Sequence, residues 1–184
     1  NHSSSALIAI YNSVLTAQGG AFNDLYYDSC AGAGIGTGGY AYMENVKLLP
    51  YVSSITIQNS TIDAVGGKGN PTQGCGAGIG GCNFGTIYIS SNCNIRAVGG
   101  GDNSGIYYPA AGIGSSSGGV FGAVLIKDSI IDAARGETYD NSIECDAIGA
   151  GYKSQVRQGV VRSISGGHIN IINSTQSFDL FGIE

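Results

Sequence analysis

The segment at residues 55–67 reads ITIQNSTIDAVGG and is the clearest copy of a unit that recurs along this chain of 184 residues. Apolar and polar side chains alternate through Ile55, Thr56 and Ile57, and this period of two is typical of a half-buried β-strand. Similar segments begin at four other positions, which are Ile8, Ile87, Val124 and Ile169. The chain is therefore predicted to be a repeat protein built from strands.

A second, glycine-rich element follows each of the first four segments. It reads GAGIG at 32–36 and 76–80, AGIG at 111–114 and, more weakly, AIG at 147–149. The first residues of the five segments lie 47, 32, 37 and 45 positions apart, whereas a hairpin needs only about two to five linking residues. A constant unit with variable spacers is what a solenoid with loop insertions produces. We therefore expect parallel strands that stack along an axis as a parallel β-helix.

Stacked repeats turn equivalent positions into ladders. Two apolar ladders are predicted inside the solenoid, one of Ile10, Ile57, Ile89, Ile126 and Ile171 and one of Ile35, Ile79, Ile113 and Ile148. A polar ladder is predicted at the turns, made of Asn12, Asn59, Asp128 and Asn173 with Ser91 or Asn92 in the third repeat. An outward ladder of alternating charge is predicted from Thr16, Asp63, Arg96 and Asp132.

Composition excludes several classes of protein. Charged residues make up only 11% of the chain and the net charge is -5, so no basic face is available to neutralise the phosphates of a nucleic acid. No apolar stretch approaches the ~20 residues that span a bilayer. The chain opens at Asn1 without a signal peptide, and we interpret it as a mature or excised part of something longer.

The pairing of ITIQNSTIDAVGG with GAGIGG at 76–81 resembles the glycine-rich repeats of bacterial surface proteins with adhesin-like or carbohydrate-binding-like function. The resemblance covers most of residues 6–150 and fades after Tyr152. It implies an all-β, single-stranded right-handed parallel β-helix of about four to five coils with long variable loops. One domain is expected over 1–184, with repeat units near 8–54, 55–86, 87–123 and 124–168 and a partial unit at 169–184.

Tyrosines and acids cluster in the spacers between the two repeat elements. Aromatic faces beside carboxylates suit sugar rings, which offer C–H groups to the ring and hydroxyls to the acid. The alternative is that these tyrosines only cover the long loops. The candidate carbohydrate-binding residues are Tyr26, Tyr27, Tyr107, Tyr108, Tyr139, Asp28, Asp102 and Asp140.

Catalysis has weaker support. Asp63 and Asp132 are the one pair of carboxylates that would suit a glycoside hydrolase or polysaccharide lyase, but Arg96 lies between them and favours an ion-pair ladder instead. His2 and His168 have no partners placed for a catalytic triad or for zinc. No catalytic residue, metal or cofactor is therefore predicted.

Cysteines and glycosylation motifs fit an extracellular setting. Stacked neighbours fall within the Cα range of a disulfide, so Cys30–Cys75 is the preferred bridge, and Cys82–Cys93 is a second candidate across a turn. Buried thiols are the alternative. Asn-x-Ser/Thr motifs that could carry glycans occur at Asn1, Asn59 and Asn173, although the last two also belong to the predicted polar ladder.

The expected function is that of a non-catalytic extracellular or cell-surface module with a structural or adhesive role. Its partners would be further copies that stack end to end, or flanking domains that cover the open strand edges. The alternatives are a carbohydrate-binding module that uses the tyrosine-lined loops and, second, a polysaccharide-cleaving enzyme.

Overall fold

The structure is a computed structural model. It describes residues 6–21, 31–38, 52–69, 74–101, 108–140, 143–152, 155–164 and 168–172, with the backbone alone for the last two ranges and for Val52, Ser53 and Phe121. These residues form strands, turns and loops, and none of them lies in a helix. The strands are β1 (Ala6–Tyr11), β2 (Val14–Gln18), β3 (Ile35–Gly36), β4 (Val52–Gln58), β5 (Thr61–Val65), β6 (Ile79–Ser90), β7 (Asn94–Val98), β8 (Ile113–Lys127), β9 (Ile130–Ala134), β10 (Ile148–Gly149), β11 (Gln155–Ile164) and β12 (His168–Ile172).

The strands form two sheets between which the chain passes back and forth. The first sheet has the order β1-β4-β6-β8-β10, with β3 paired to β6 and β11 paired to β8, and the second has the order β2-β5-β7-β9-β12. Every pairing among the described strands is parallel. The all-β class and the parallel stacking predicted from the repeats are therefore confirmed. We number the repeats one to five in chain order, and each runs from a first-sheet segment through the following second-sheet strand to the glycine-rich element after it, where there is one.

The predicted apolar ladders are confirmed for the first four repeats. Ile10 pairs with Ile57, Ile57 with Ile89 and Ile89 with Ile126 in the first sheet. The isoleucines of the glycine-rich elements pair in the same way, in the order Ile35, Ile79, Ile113 and Ile148. Apart from Ile10 at the outer edge, these side chains are almost completely buried and form one core with their neighbours on the second sheet.

The predicted position of the fifth repeat is wrong. Ile171 pairs with Ala133 in the second sheet instead of extending the ladder through Ile126, which pairs with Ser163. The first-sheet strand of this repeat is β11, which lies beyond Tyr152, where the resemblance to the other repeats fades. Strands of both sheets bury alternate residues, so the isoleucines at 169 and 171 matched a first-sheet segment although they belong to a second-sheet strand.

Glycines allow neighbouring backbones to approach at the glycine-rich element. Gly80 has a φ of +132°, which an L-residue with a side chain rarely adopts, and a Cβ at this position would overlap the carbonyl oxygen of Gly114. Gly114 has a φ of +143° and makes the same close approach to Gly149. Two requirements therefore explain the recurring Gly-Ile-Gly sequence. The glycine after the isoleucine has no room for a side chain, and the isoleucine between the glycines is buried in the core.

Candidate functional site

The tyrosine-lined side can be described only in part. Tyr26, Tyr27, Asp28, Asp102 and Tyr107 lie outside the described residues. Tyr108 is half-buried, and its ring lies 5.3 Å from that of Tyr152 at an interplanar angle of 41°. This contact favours packing between tyrosines over an open binding platform at Tyr108.

Tyr139 differs from Tyr108 in its exposure. It is 51% exposed in the loop that follows β9, and Asp140 next to it is partly exposed. An exposed aromatic residue and an acidic residue thus stand next to each other in this loop, and these are residue types that bind sugar rings. Among the described members of the predicted carbohydrate-binding set, Tyr139 is exposed, whereas Tyr108 and Asp140 are partly buried.

The outward ladder of the second sheet has the predicted register. Asp63 pairs with Arg96, and Arg96 pairs with Asp132 on the next strand. The guanidinium of Arg96 donates to Oδ1 of Asp63 at 2.7 Å and leaves Asp132 without it. Both partners of the ion pair are about half exposed. Asp63 and Asp132, the pair of carboxylates considered for catalysis, therefore lie on an exposed face of the second sheet, and Asp63 forms an ion pair with Arg96.

The turns between the two sheets contain part of the predicted polar ladder: among the described residues one side-chain hydrogen bond links its members, and Asn173 lies outside them. Asn59 Nδ2 donates to Asn12 Oδ1 at 2.6 Å, and both residues adopt left-handed backbone angles, with φ of 46° and 48°. Asp128 has a φ of 45° at the equivalent turn, whereas the third repeat uses two left-handed residues, Ser91 and Asn92. Asparagine and aspartate tolerate this conformation better than other non-glycine residues, so the turn selects them.

Asn59 is also the one glycosylation candidate within the described residues, because Asn1 and Asn173 lie outside them. Its side chain is exposed, so its place in the polar ladder does not bury it. The same Nδ2 that would carry a glycan donates the hydrogen bond to Asn12. Glycosylation and the hydrogen bond to Asn12 therefore compete for the same nitrogen atom of Asn59.

A second polar ladder lies one residue further on, and the sequence interpretation missed it. Ser60 Oγ accepts a hydrogen bond from the Ser13 amide at 3.1 Å and donates to the Gln58 carbonyl at 2.7 Å. Ser129 Oγ repeats this pattern with the Cys93 amide at 3.3 Å. Ser60 and Ser129 are buried. The signal was visible as a serine directly after Asn12, Asn59 and Asp128, at Ser13, Ser60 and Ser129.

No disulfide joins any two of the four cysteines that the structure describes, which are Cys75, Cys82, Cys93 and Cys145. The predicted Cys82–Cys93 bridge is not formed, because eight residues of extended chain from Cys82 to Ser90 span roughly 26 Å. Cys93 instead takes the serine position in the turn, where its Sγ donates to the carbonyl of Ser90 at 3.1 Å. Cys30, the other half of the preferred bridge, lies outside the described residues.

A buried polar cluster occupies the loop between β9 and β10. Asp146 and Arg135 are each only 5% exposed, and Cys145 is buried beside them. Arg135 Nη1 donates to the Ile143 carbonyl at 2.6 Å, whereas its Nε has no hydrogen-bond partner. Asp146 Oδ2 accepts from the Ala150 amide at 2.9 Å, whereas Oδ1 has no partner. Two buried polar atoms are thus left unsatisfied within one loop, which is costly.

The electrostatics of this cluster follow from burial. Desolvation raises the pKa of the Asp146 carboxyl above its ordinary value, and Glu144 adds to that rise, although the hydrogen bond from Ala150 opposes it. Burial also raises the pKa of the Cys145 thiol, with a further contribution from Asp146, while Arg135 lowers it. The thiol is therefore protonated and unreactive while the loop stays closed.

The sequence carried a signal for this cluster that the repeat alignment did not use. Arg135 follows β9 at the position that Gly66 and Gly99 occupy after β5 and β7. Asp146 precedes Ile148 by two residues, where Ala77 and Ala111 stand before the other isoleucines. Two charged residues replace small ones at positions that are buried in neighbouring repeats. A charged residue at a position that is buried in neighbouring repeats indicates a site where the local packing differs and the charge needs a polar partner.

Comparison with protein-family models, curated proteins and solved structures gives no match for this chain. Within the described ranges, no group of three or more His, Cys, Asp or Glu residues is placed to hold a metal ion. Nor do those residues contain a helix of the length and apolar character that crossing a membrane requires.

Proposed function

We propose that the chain forms a single-stranded right-handed parallel β-helix and serves as a non-catalytic extracellular or cell-surface module that assembles end to end. The winding is supported by strand order, because the first four repeats each pass from the first sheet to the second and back to the first. The hand is supported by the strong general preference of parallel crossovers for the right-handed connection. Low charge and the exposed asparagines of the turns are compatible with a surface location.

The observation that carries the proposed assembly is that the inward apolar side chains of the first repeat are only partly buried. Ile8, Ile10 and Leu15 point toward the core but are only partly buried, whereas Ile55 and Ile57 in the next repeat are fully buried. Among the described residues, no strand pairs with the outer edges of β1 and β2. Parallel strands with uncovered apolar residues and unpaired backbone groups at one end are suited to addition of another strand layer.

The surface around this edge is also apolar. Leu7 is 68% exposed and Val14 is 87% exposed, and Tyr11 between them is 50% exposed. A second copy that continued the ladders would cover these side chains and satisfy the edge amides and carbonyls. Repetition of that contact in the same direction does not close on itself, so a fibre is the expected product. Flanking domains that cap the edge are the other partner this surface would accept.

Sedimentation velocity and electron microscopy over a range of protein concentrations test the assembly. The double variant Leu7→Lys/Val14→Lys should keep the protein monomeric, because it places two charges on the edge. Ile130→Lys is the matched control, since Ile130 lies in the same outward row as Val14 three strands away and is 52% exposed. A wild-type protein that stays monomeric at every concentration, or assembly that the edge charges do not weaken, would contradict the proposal.

Carbohydrate binding is the second candidate, and the exposure of Tyr139 beside Asp140 is the observation in its favour. A glycan array followed by titration with the best polysaccharide tests it. Tyr139→Ala should weaken binding at least tenfold, whereas Tyr11→Ala should not, although both rings are about half exposed. Equal affinity of the two variants would exclude Tyr139 as the contact.

A further inference from the structure

Residues 146–150 form a short loop that carries β10, the glycine-rich element of the fourth repeat. The Asp146 amide donates to the Ala150 carbonyl at 2.9 Å, and the Ala150 amide donates to Asp146 Oδ2 at the same distance. Between these two residues, Ile148 and Gly149 form β10 and pair with Ile113 and Gly114 of β8. The Asp146 carboxyl therefore holds together the loop that seats the last isoleucine of the ladder.

We propose that Asp146 is a pH-sensitive latch, whose ionisation opens the 146–150 loop and uncovers the thiol of Cys145. The carboxyl is nine-tenths buried, and its Oδ1 has no hydrogen-bond donor to stabilise a negative charge. A buried carboxylate with one unsatisfied oxygen is much more costly than the neutral acid. The charge would be solvated most easily by opening the loop.

Among the described residues, no positively charged side chain makes an ion pair that offsets this charge. Glu144 on the same loop is acidic and exposed, and it opposes ionisation of Asp146. Arg135 at the end of β9 makes no ion pair with Asp146 and uses Nη1 on the Ile143 carbonyl. Cys75 of the second repeat and Cys145 are thiols, and Tyr108 and Tyr152 pack together nearby. The side chains of Arg157 and Arg162 on β11 lie outside the described residues.

The direction of the pH dependence follows from linkage. A carboxyl whose pKa is higher in the folded state than its ordinary value of 3.8 stabilises the closed loop fully below that ordinary value. The stabilisation is lost as the pH rises, and it is gone once the pH passes the folded pKa. Within that window the fraction of open loop should rise by up to tenfold per pH unit, since one proton is released.

Hydrogen exchange measured by mass spectrometry, corrected for the intrinsic rate at each pH, tests the latch. In the wild-type protein at pH 4 to 7, protection of residues 143–152 should fall as the pH rises, while that of β7 stays constant. Asp146→Asn should remove this dependence because the amide cannot ionise. Asp132→Asn, which alters an exposed acid on β9, should leave it unchanged. Labelling of Cys145 relative to Cys93 at each pH should follow the exchange of the loop.

Three results would overturn the proposal. The first is protection of residues 143–152 that does not change with pH in the wild-type protein. The second is the same pH dependence in Asp146→Asn, which would assign the titration to another group. The third is a loss of protection with rising pH that extends to β7 in the wild-type protein, which would indicate global unfolding in place of a local latch. The first and third results need only the wild-type protein, so they test the proposal even if Asp146→Asn does not fold.

Discussion

Asn59 donates a side-chain hydrogen bond of 2.6 Å to Asn12, a residue 47 positions earlier that occupies the equivalent turn of the preceding repeat. Both residues have left-handed backbone angles, which few residues other than glycine adopt without strain. One residue type thus meets two requirements, the conformation of a tight turn and a link along the stack. This explains why asparagine recurs at this turn while the spacers vary.

Two substitutions at Asn59 separate these requirements. Asn59→Gly removes the hydrogen bond but suits the left-handed turn, so a loss of about 0.5–1 kcal/mol in the free energy of unfolding is expected. Asn59→Ala keeps a Cβ in the left-handed region without the polar side chain that makes this conformation tolerable, and it should cost about 1 kcal/mol more. Urea unfolding measures both. Thr61→Ala removes the glycosylation motif but keeps Asn59, and it therefore controls for any glycan.

The order of the two variants decides the interpretation. If Asn59→Gly is as destabilised as Asn59→Ala, the amide link alone matters and the backbone conformation imposes no measurable strain. If both variants match the wild-type protein, the ladder contributes nothing to stability and the asparagines need another explanation.

The buried serine ladder predicts different outcomes for two small side chains. Ser60→Ala leaves the Ser13 amide and the Gln58 carbonyl without the hydroxyl that joins them, and it should lower the free energy of unfolding by about 1–3 kcal/mol. Cys93→Ser places a hydroxyl where the thiol already contacts the Ser90 carbonyl, and it should change stability by less than about 1 kcal/mol. Thermal unfolding of the two variants compares them directly, and greater loss from Cys93→Ser would contradict the ladder.

Repetition decided how much of this fold could be predicted. The pairing of Ile35 with Ile79 and of Asp63 with Arg96 followed from aligning copies, because stacking converts equal sequence positions into neighbours. The prediction failed in the fifth repeat, where the sequence diverges from the other copies. Val161 pairs with Val124 and continues the first sheet, although the isoleucine at 169 resembles the earlier segments more closely. An alternating apolar pattern identifies a strand but cannot tell which of two buried sheets it joins.

The candidate site at Arg135 and Asp146 was hidden for a related reason. Alignment emphasises what repeats share, whereas these residues matter because they replace glycine and alanine. Their burial depends on a loop that closes over them through backbone contacts such as Arg135 to the Ile143 carbonyl. Sequence spacing does not encode such contacts, so the replacement of small residues marks the two positions but does not predict the contacts that bury the charges.

Glycines of the repeat should differ widely in their tolerance of alanine. Gly80→Ala combines a strained φ of +132° with overlap against the Gly114 backbone, so loss of more than about 3 kcal/mol or failure to fold is expected. Gly20→Ala is the control, because no atom lies within 4 Å of a Cβ built there. Circular dichroism and urea unfolding measure the difference. Similar stability of the two variants would mean that neighbouring repeats do not approach as closely as the structure places them.

The ion pair on the second sheet should contribute little and depend on salt. A double-mutant cycle with Asp63→Asn and Arg96→Gln should give a coupling of about 0.2–1 kcal/mol, because both side chains are about half exposed. Raising the salt from 0.01 M to 1 M shortens the Debye length from about 30 Å to about 3 Å and should weaken the coupling. Asp132 occupies the other side of Arg96 without making an ion pair, so Asp132→Asn should show smaller coupling to Arg96→Gln. Coupling of equal size for the two acids would indicate that the guanidinium bridges both strands.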